Sequence, residues 1–430
     1  LIGINKNKVY FIGQEDLYSK EESPLYEHKS IEDLIQWISE RDSIALDTET
    51  EGFFNHANRI IMLQLSDGND IWVIDVRNNK DCFIKLKPYL ESKLIIGQNL
   101  KFDYKFLKLE GIILDKIYDT FLAECCLTNG KEWLLPNGKM GRQLGLGEIA
   151  KRYLGVSLDK SVRNQFIGLN GQPFTYKQIV YGSEDVLYLH KIKELQTLRA
   201  NKYELNEYIS LENQACLALA DIEYNGMGFN IEAWLKLSRK VDQLIPLHEK
   251  ELDDLVRAEP KLTKFINKTP QLDLFGGTDR DVTILWSSPA QVLAVLKGLI
   301  GDEVESSSEK DIAIYQYSFP LVKKLIDYKK DAKLASTYGD NFINFINPVT
   351  KRIHGEFWQI LNTSRVSCGG SKSGKSSVNL QNLPAKNDYL NCFVADKGKL
   401  IIGIDYKGKR KMIILLIPIV NMINIYYICI

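Results

Sequence analysis

The first residues in the chain whose types and spacing could do chemistry are Asp47 and Glu49, in "SIALDTETEGFF" at positions 43–54. Ile44, Ala45 and Leu46 read as part of a buried strand, and strand residues two apart point to the same face. The two carboxylates then project side by side. Like charges that close repel and raise each other's pKa unless a cation sits between them. The plain alternative is an Asp-x-Glu on a solvated surface, and only further carboxylates at the same place would argue for a metal.

Two later segments offer them. The apolar strand "KLIIG" ends at Gly97 and "QNLKFD" opens a helix after it, with Asn99 near the cap and Asp103 four residues on, expected on one helical face. "YGSED" sets Tyr181 and Asp185 four apart on a helix whose Ile179, Val180, Val186, Leu187 and Leu189 form the buried side. Each pair alone is weak, because i, i+4 pairs arise by chance. Together the segments provide Asp47, Glu49, Asp103 and Asp185, an all-oxygen set of the kind that hard divalent cations take.

Elements must position these groups, and the 430 residues suffice for two or three domains. Up to about 200, strand candidates ("SIALDTE", "RIIMLQLSD", "DIWVIDV", "KLIIGQN") alternate with helices, "TYKQIVYGSEDVLYLHKIKELQTLR" being read as one of them; this predicts an α/β domain on a mixed sheet. From about 205, long amphipathic helices follow, broken by polar loops at "INKTPQLDLFGGTDRDVT" and "GDEVESSSEK". Near 350 the pattern turns to short strands and loops. No internal repeat is visible. Lys and Arg balance Asp and Glu at 55 each, so no global basic field announces nucleic acid, although a local basic face would suffice. Seven cysteines without a CxxC pair predict buried, reduced thiols, neither a disulfide framework nor a zinc site.

In order and spacing, "DTET", "NLKFD" and "YGSED" resemble the three exonuclease motifs of the DEDD superfamily in its tyrosine-containing branch, and "GQNLKFDYKFLKLEGI" followed by "YDTFLAE" is similar to the proofreading domains of bacterial family A DNA polymerases. The resemblance implies a ribonuclease H-like domain and two Mg²⁺ ions, replaceable by Mn²⁺, that cleave single-stranded DNA from its 3′ end. In that pattern Asp47 bridges the ions, Glu49 and Asp185 complete the water-activating site, Asp103 serves the second ion partly through water, and Tyr181 orients the water. Asn99 would meet the nucleic acid.

The resemblance continues through "ADIEYNGMGFN", "SSPAQVLAVL" and "DYKKDAKLASTYGD", similar to the thumb of family A polymerases, and through "NTSRVS", "NLQNLP" and "IIGIDY", similar to the start of the palm. It implies that Lys333 contacts the DNA backbone, that Arg365, Asn379 and Gln381 face a primer-template, and that Asp405 is the first palm metal ligand. The expected division is an exonuclease domain over 1–204, a mainly helical thumb over 205–349, an incomplete α+β palm over 350–410 and an aberrant apolar tail over 411–430. After Tyr406 the family's Ser-Gln-Ile-Glu is replaced by Lys407, Gly408, Lys409 and Arg410. With one palm carboxylate, no nucleotidyl transfer is expected of this chain.

The tail "MIILLIPIVNMINIYYICI" has the length of a membrane span, but Pro418, Asn421 and Asn424 favour a frame-shifted end over a membrane anchor. Leu1 in place of Met suggests a start inside a longer reading frame. "GGSKSGKS" at 369–376 fits the phosphate-loop pattern, yet "SVNLQNLP" follows where a helix should, so it reads as a flexible basic loop near template DNA. His190 is read as a structural or solvated residue and not a ligand, and His354 sits where the resemblance places the palm-entry strand. The expected protein is a monomer, cytoplasmic for a bacterial or phage gene, with an organellar location left open as the alternative. Two rival readings stay open: an RNA-trimming exoribonuclease of the same superfamily, and a non-catalytic DNA-binding fragment.

Overall fold

The computed structural model describes residues 8–14, 26–79, 81–134, 138–159, 161–169, 171–267, 281–361, 363, 365–372 and 375–402. Asp405, the second half of "KLIIGIDY" and the apolar tail lie outside them. No helix among the described residues is long and apolar enough to cross a membrane.

A seven-stranded mixed sheet organises the first half, in the order β2-β1-β5-β4-β3-β6-β7. Its strands are β1 (Lys8–Ile12), β2 (Tyr26–His28), β3 (Ser43–Thr50), β4 (Ile60–Ser66), β5 (Asp70–Asp75), β6 (Leu94–Gly97) and β7 (Lys116–Asp119). β3 lies in the interior, antiparallel to β4 and parallel to β6. Strand alternation sends Leu46, Leu63, Leu65 and Trp72 into one apolar layer and Ala45, Met62, Ile71 and Val73 into the other.

The first layer is closed by α1 (Ile31–Ser39), α2 (Cys82–Ser92), α3 (Lys101–Leu109) and α4 (Thr120–Thr128), and the second by α5 (Leu146–Leu154), α6 (Tyr176–Leu187) and α7 (Leu189–Lys202). Local chemistry starts these helices: Ser30 with Asp33, and Thr175 with Gln178, form capping boxes at α1 and α6. The segment read as one helix over 175–199 is two, separated at Tyr188. A β8–β9 hairpin (Trp133–Leu134 with Met140–Gly141) stands outside the sheet.

α8 (Asn206–Asn225), expected to begin the thumb, packs Ile209, Cys216 and Ala220 into the first layer of the exonuclease half. A separate core holds α9 (Ile231–Ala258), α10 (Pro289–Leu299) and α11 (Pro320–Tyr338) around Leu252, Val256, Trp286, Leu296 and Leu325. Trp286 Nε1 donates to the buried Asp253 at 2.8 Å.

The last region is built from very short strands. β10 (Met227–Phe229) pairs with β11 (Arg352–Ile353) and β16 (Phe393–Val394), and β12 (Phe357–Trp358) with β13 (Ser367–Cys368). The run at 369–376, expected as a flexible loop, is a hairpin of β14 (Gly370–Lys372) and β15 (Lys375–Ser377). A phosphate loop needs a helix N-terminus after it, and here a strand follows. Cys82, Cys125, Cys126, Cys216, Cys368 and Cys392 are buried and unbridged.

Candidate active site

Asp47 and Glu49 project from the same face of β3, both half-buried, while Thr48 between them points into the sheet's other layer. α6 crosses that first face. A Cβ on Gly182 would fall 2.7 Å from Gln64 Nε2 and 3.0 Å from Met62 Sδ, so any side chain here would have to displace Gln64 or Met62 for α6 to lie this close to β4. Close approach brings Asp185 to the strand. One carboxylate oxygen each from Asp47, Glu49 and Asp185 lies within 4.8 Å of the others. The opening pair therefore has its third partner, supplied from 136 residues beyond Glu49.

Tyr181, one turn before Asp185, is buried and hydrogen-bonded to it. Burial raises the phenol's pKa far above the usual tyrosine value, and the charges of Asp185, Glu49 and Asp47 raise it further. It stays protonated at any physiological pH.

Asp103 stands apart from this trio. It is buried, and its Oδ1 accepts from Thr48 Oγ1 at 2.6 Å and from Thr48 N–H at 3.1 Å, so it grips the middle of the Asp-Thr-Glu stretch from the other layer. Burial pushes its carboxyl up to about 7, against the Thr48 hydrogen bonds. The expected helical face shared by Asn99 and Asp103 does not form. Asn99 precedes α3 with a left-handed φ of +60°, because Asp119 at the end of β7 draws the N–H groups of Asn99 and Leu100 onto its carboxylate at 2.8 and 2.9 Å. Asp119 is itself fully buried and is pushed up to about 6 by that burial, despite these bonds.

Three contributors were not singled out in the sequence. Gly182 carried a signal, a glycine inside an otherwise helical stretch. Gln64 sits directly across from Asp47 on β4, fully buried, with neither amide atom bonded to a protein partner. An Asp-Gln cross-strand pair has no sequence signature. Phe53, 62% exposed, lies in the turn after β3. The all-carboxylate trio together with the orphaned amide of Gln64 fits a metal and its water better than a bare surface cluster. His190 is structural as expected, its Nε2 lying 3.2 Å from the Ser66 carbonyl.

In the second half, Lys333 is exposed on α11 and Arg365 is exposed before β13. Asn379 caps a short 3₁₀ turn by accepting from Gln381 N–H at 3.0 Å. Gln381 braces 366–368, accepting from Cys368 N–H and donating to the Val366 carbonyl, and both residues keep exposed surface.

Comparison with known proteins fits this layout. Residues 24–198 match a 3′-5′ exonuclease model and residues 283–410 the model of DNA polymerase family A. DNA polymerase I of Borreliella burgdorferi is 24% identical over 403 residues, covering 87% of this chain and 39% of that protein. The enzyme of Pseudomonas aeruginosa is 25% identical over 413 residues, covering 86% and 40%. The chain thus spans less than half the length of these relatives. The POL domain of Pol1 from M. smegmatis shares the fold at a TM-score of 0.62 and 16% identity, over 91% of this chain and 59% of that one. The polymerase match across the second half does not favour the exoribonuclease or the non-catalytic reading. An exonuclease domain followed along one chain by polymerase sequence makes this protein a member of the family A DNA polymerases.

Proposed function

We propose that this chain removes nucleotides from the 3′ end of single-stranded DNA by hydrolysing the terminal phosphodiester bond. The observation that carries the reading is the convergence of Asp47, Glu49 and Asp185 beside Tyr181 within the stretch that matches the exonuclease model. Hard oxygen donors favour Mg²⁺, with Mn²⁺ as a substitute, and Asp47, Glu49 and Asp185 would hold it with help from Asp103. A pair of such ions supplies positive charge to the reacting phosphate and makes the attacking water more acidic. Tyr181, kept as a phenol, holds that water by a hydrogen bond without accepting its proton. Asp185 fixes the phenol's direction. The exposed ring of Phe53 gives a terminal base a face to stack on.

The remainder of the reading follows the family. Primer-template DNA, present in the solved M. smegmatis protein, would lie against Lys333, Arg365, Asn379 and Gln381, with Asp405 as a palm metal ligand. The divisions at 204/205, 349/350 and 410/411, a monomeric state and a cytoplasmic location matching the bacterial relatives belong to the same proposal.

The test uses a 5′-labelled single-stranded oligonucleotide with Mg²⁺. The chain should shorten it from the 3′ end to release nucleoside monophosphates, and EDTA should stop the reaction. Asp47→Ala should slow it by about a thousandfold or more, since it removes a direct metal ligand. Full activity in that variant sinks the assignment.

A further inference from the structure

The last turn of α8 is a joint between the exonuclease site and the short strands that follow. On α3, Lys101, Lys105 and Lys108 form one stripe, and Asp103 lies about 200° around the helix from Lys101, on the opposite side. Asp103 holds Thr48 between the two site carboxylates, while the lysine stripe holds α8. Lys101 Nζ and Lys105 Nζ reach the two oxygens of Glu223 at 2.5 and 2.6 Å, and Lys108 and the Tyr104 hydroxyl reach Asp221. Glu223 is 4% exposed.

From the other direction, Glu223 accepts from Phe357 N–H on β12 at 2.7 Å, and Lys101 also donates to the Phe357 carbonyl. The Glu223 carbonyl lies 2.7 Å from His354 Nδ1. The loop after β3 joins the same turn, with His56 Nε2 2.8 Å from the Tyr224 carbonyl. Both arms of the carboxylate site therefore end on Asp221, Glu223 and Tyr224, and Glu223 also bonds the palm-side segment.

We propose that Glu223 is a positioning residue for the exonuclease: by pairing Lys101 and Lys105 it sets the seat of α3, and through Asp103 and Thr48 the spacing of Asp47 and Glu49. Removing its charge leaves the two partly buried ammonium groups of α3 without their counter-charge on α8, and the attraction that seats α3 against α8 is lost. Because β12 shares the same carboxylate, a shift of the palm-side segment is transmitted to the nuclease site by the same route. The inference rests on the exonuclease reading for its catalytic consequence and on geometry alone for its mechanical one.

The experiment compares the full chain with Glu223→Gln and Lys105→Met, each checked for folding by circular dichroism. Three quantities are read: amide hydrogen exchange across α3, Mn²⁺ affinity by calorimetry, and single-turnover hydrolysis of single-stranded DNA. In Glu223→Gln, α3 amides should exchange about tenfold faster, and Mn²⁺ affinity and the hydrolysis rate should each fall about tenfold. Oligonucleotide affinity in EDTA should stay within about twofold, because the DNA-facing side is untouched. Lys105→Met should shift the same quantities in the same direction, and Lys105→Arg should restore them. The second variant carries the test where Glu223→Gln does not fold. Unchanged α3 exchange and Mn²⁺ affinity in a folded variant overturn the proposal. If the unaltered chain fails to degrade DNA, the exonuclease reading falls, while exchange and Mn²⁺ binding still decide the clamp.

Discussion

The two ends of the described chain treat β-structure in opposite ways. In the first half, the eight-residue β3 is flanked by β4 and β6 and covered on both faces by helices. In the last region, β10 to β16 are two or three residues long. A carboxylate held in the first setting inherits the rigidity of a packed sheet. One in the second depends on neighbours a few residues long. The carboxylate trio therefore lies wholly in the first half, and the last region meets that half in part at the end of α8.

The largest test of that contrast pairs one carboxylate from each region. Asp185→Ala should lower exonuclease activity by about a thousandfold, while Asp405→Ala should leave it within about twofold, measured on the same single-stranded oligonucleotide. A comparable loss in both would mean that the regions share one site.

A pair of shortened chains asks where the first region ends. Since Ile209, Cys216 and Ala220 of α8 are buried in its core, and Asn213 Oδ1 accepts from the N–H of Asp119 at 2.9 Å, a chain ending at 201 exposes that seam. It should be less stable than one ending at 226 by several kcal/mol, as expected for removing buried apolar side chains. Equal denaturation midpoints would assign α8 to the helical second half.

A smaller effect comes from the contact between regions. Burial holds His354 below the ordinary histidine value, at about 4, with the nearby His56 adding to the effect and the Glu223 carbonyl opposing it. The unfolded chain takes up this proton near pH 6.5 and the native one only near pH 4. Stability should therefore decline as pH falls through that window, by roughly 3 kcal/mol at most from this group. His354→Gln should flatten the slope in urea titrations at pH 4 to 7. An unchanged slope would mean the histidine is not sealed between the regions.

The smallest expected effect lies at the rim of the site. Phe53→Ala should raise KM for single-stranded DNA about fivefold to tenfold, the worth of one stacked base, with kcat nearly unchanged. A fall in kcat alone would move Phe53 from holding the base to shaping the carboxylates.

Local chemistry made much of this legible beforehand. Alternation along "SIALDTET" placed Asp47 and Glu49 on one face, and i, i+4 spacing paired Tyr181 with Asp185, because both follow from backbone periodicity alone. The same reasoning failed at Asn99. There the helix starts two residues later than spacing suggested, since Asp119, twenty residues on, captures the N–H groups of the preceding turn. It stops short at α8, whose amphipathic pattern shows that it has a buried face but not which core receives it.

The sequence by itself determined the residue types, the faces they occupy and the family. Tertiary structure decided which faces meet. The distance from Asp185 to Asp47 and Glu49 depends on α6 lying against β4 at Gly182, and the seat of α3 on a buried carboxylate more than a hundred residues away. Contacts of that separation are set by packing of whole layers, for which no local periodicity carries a signal.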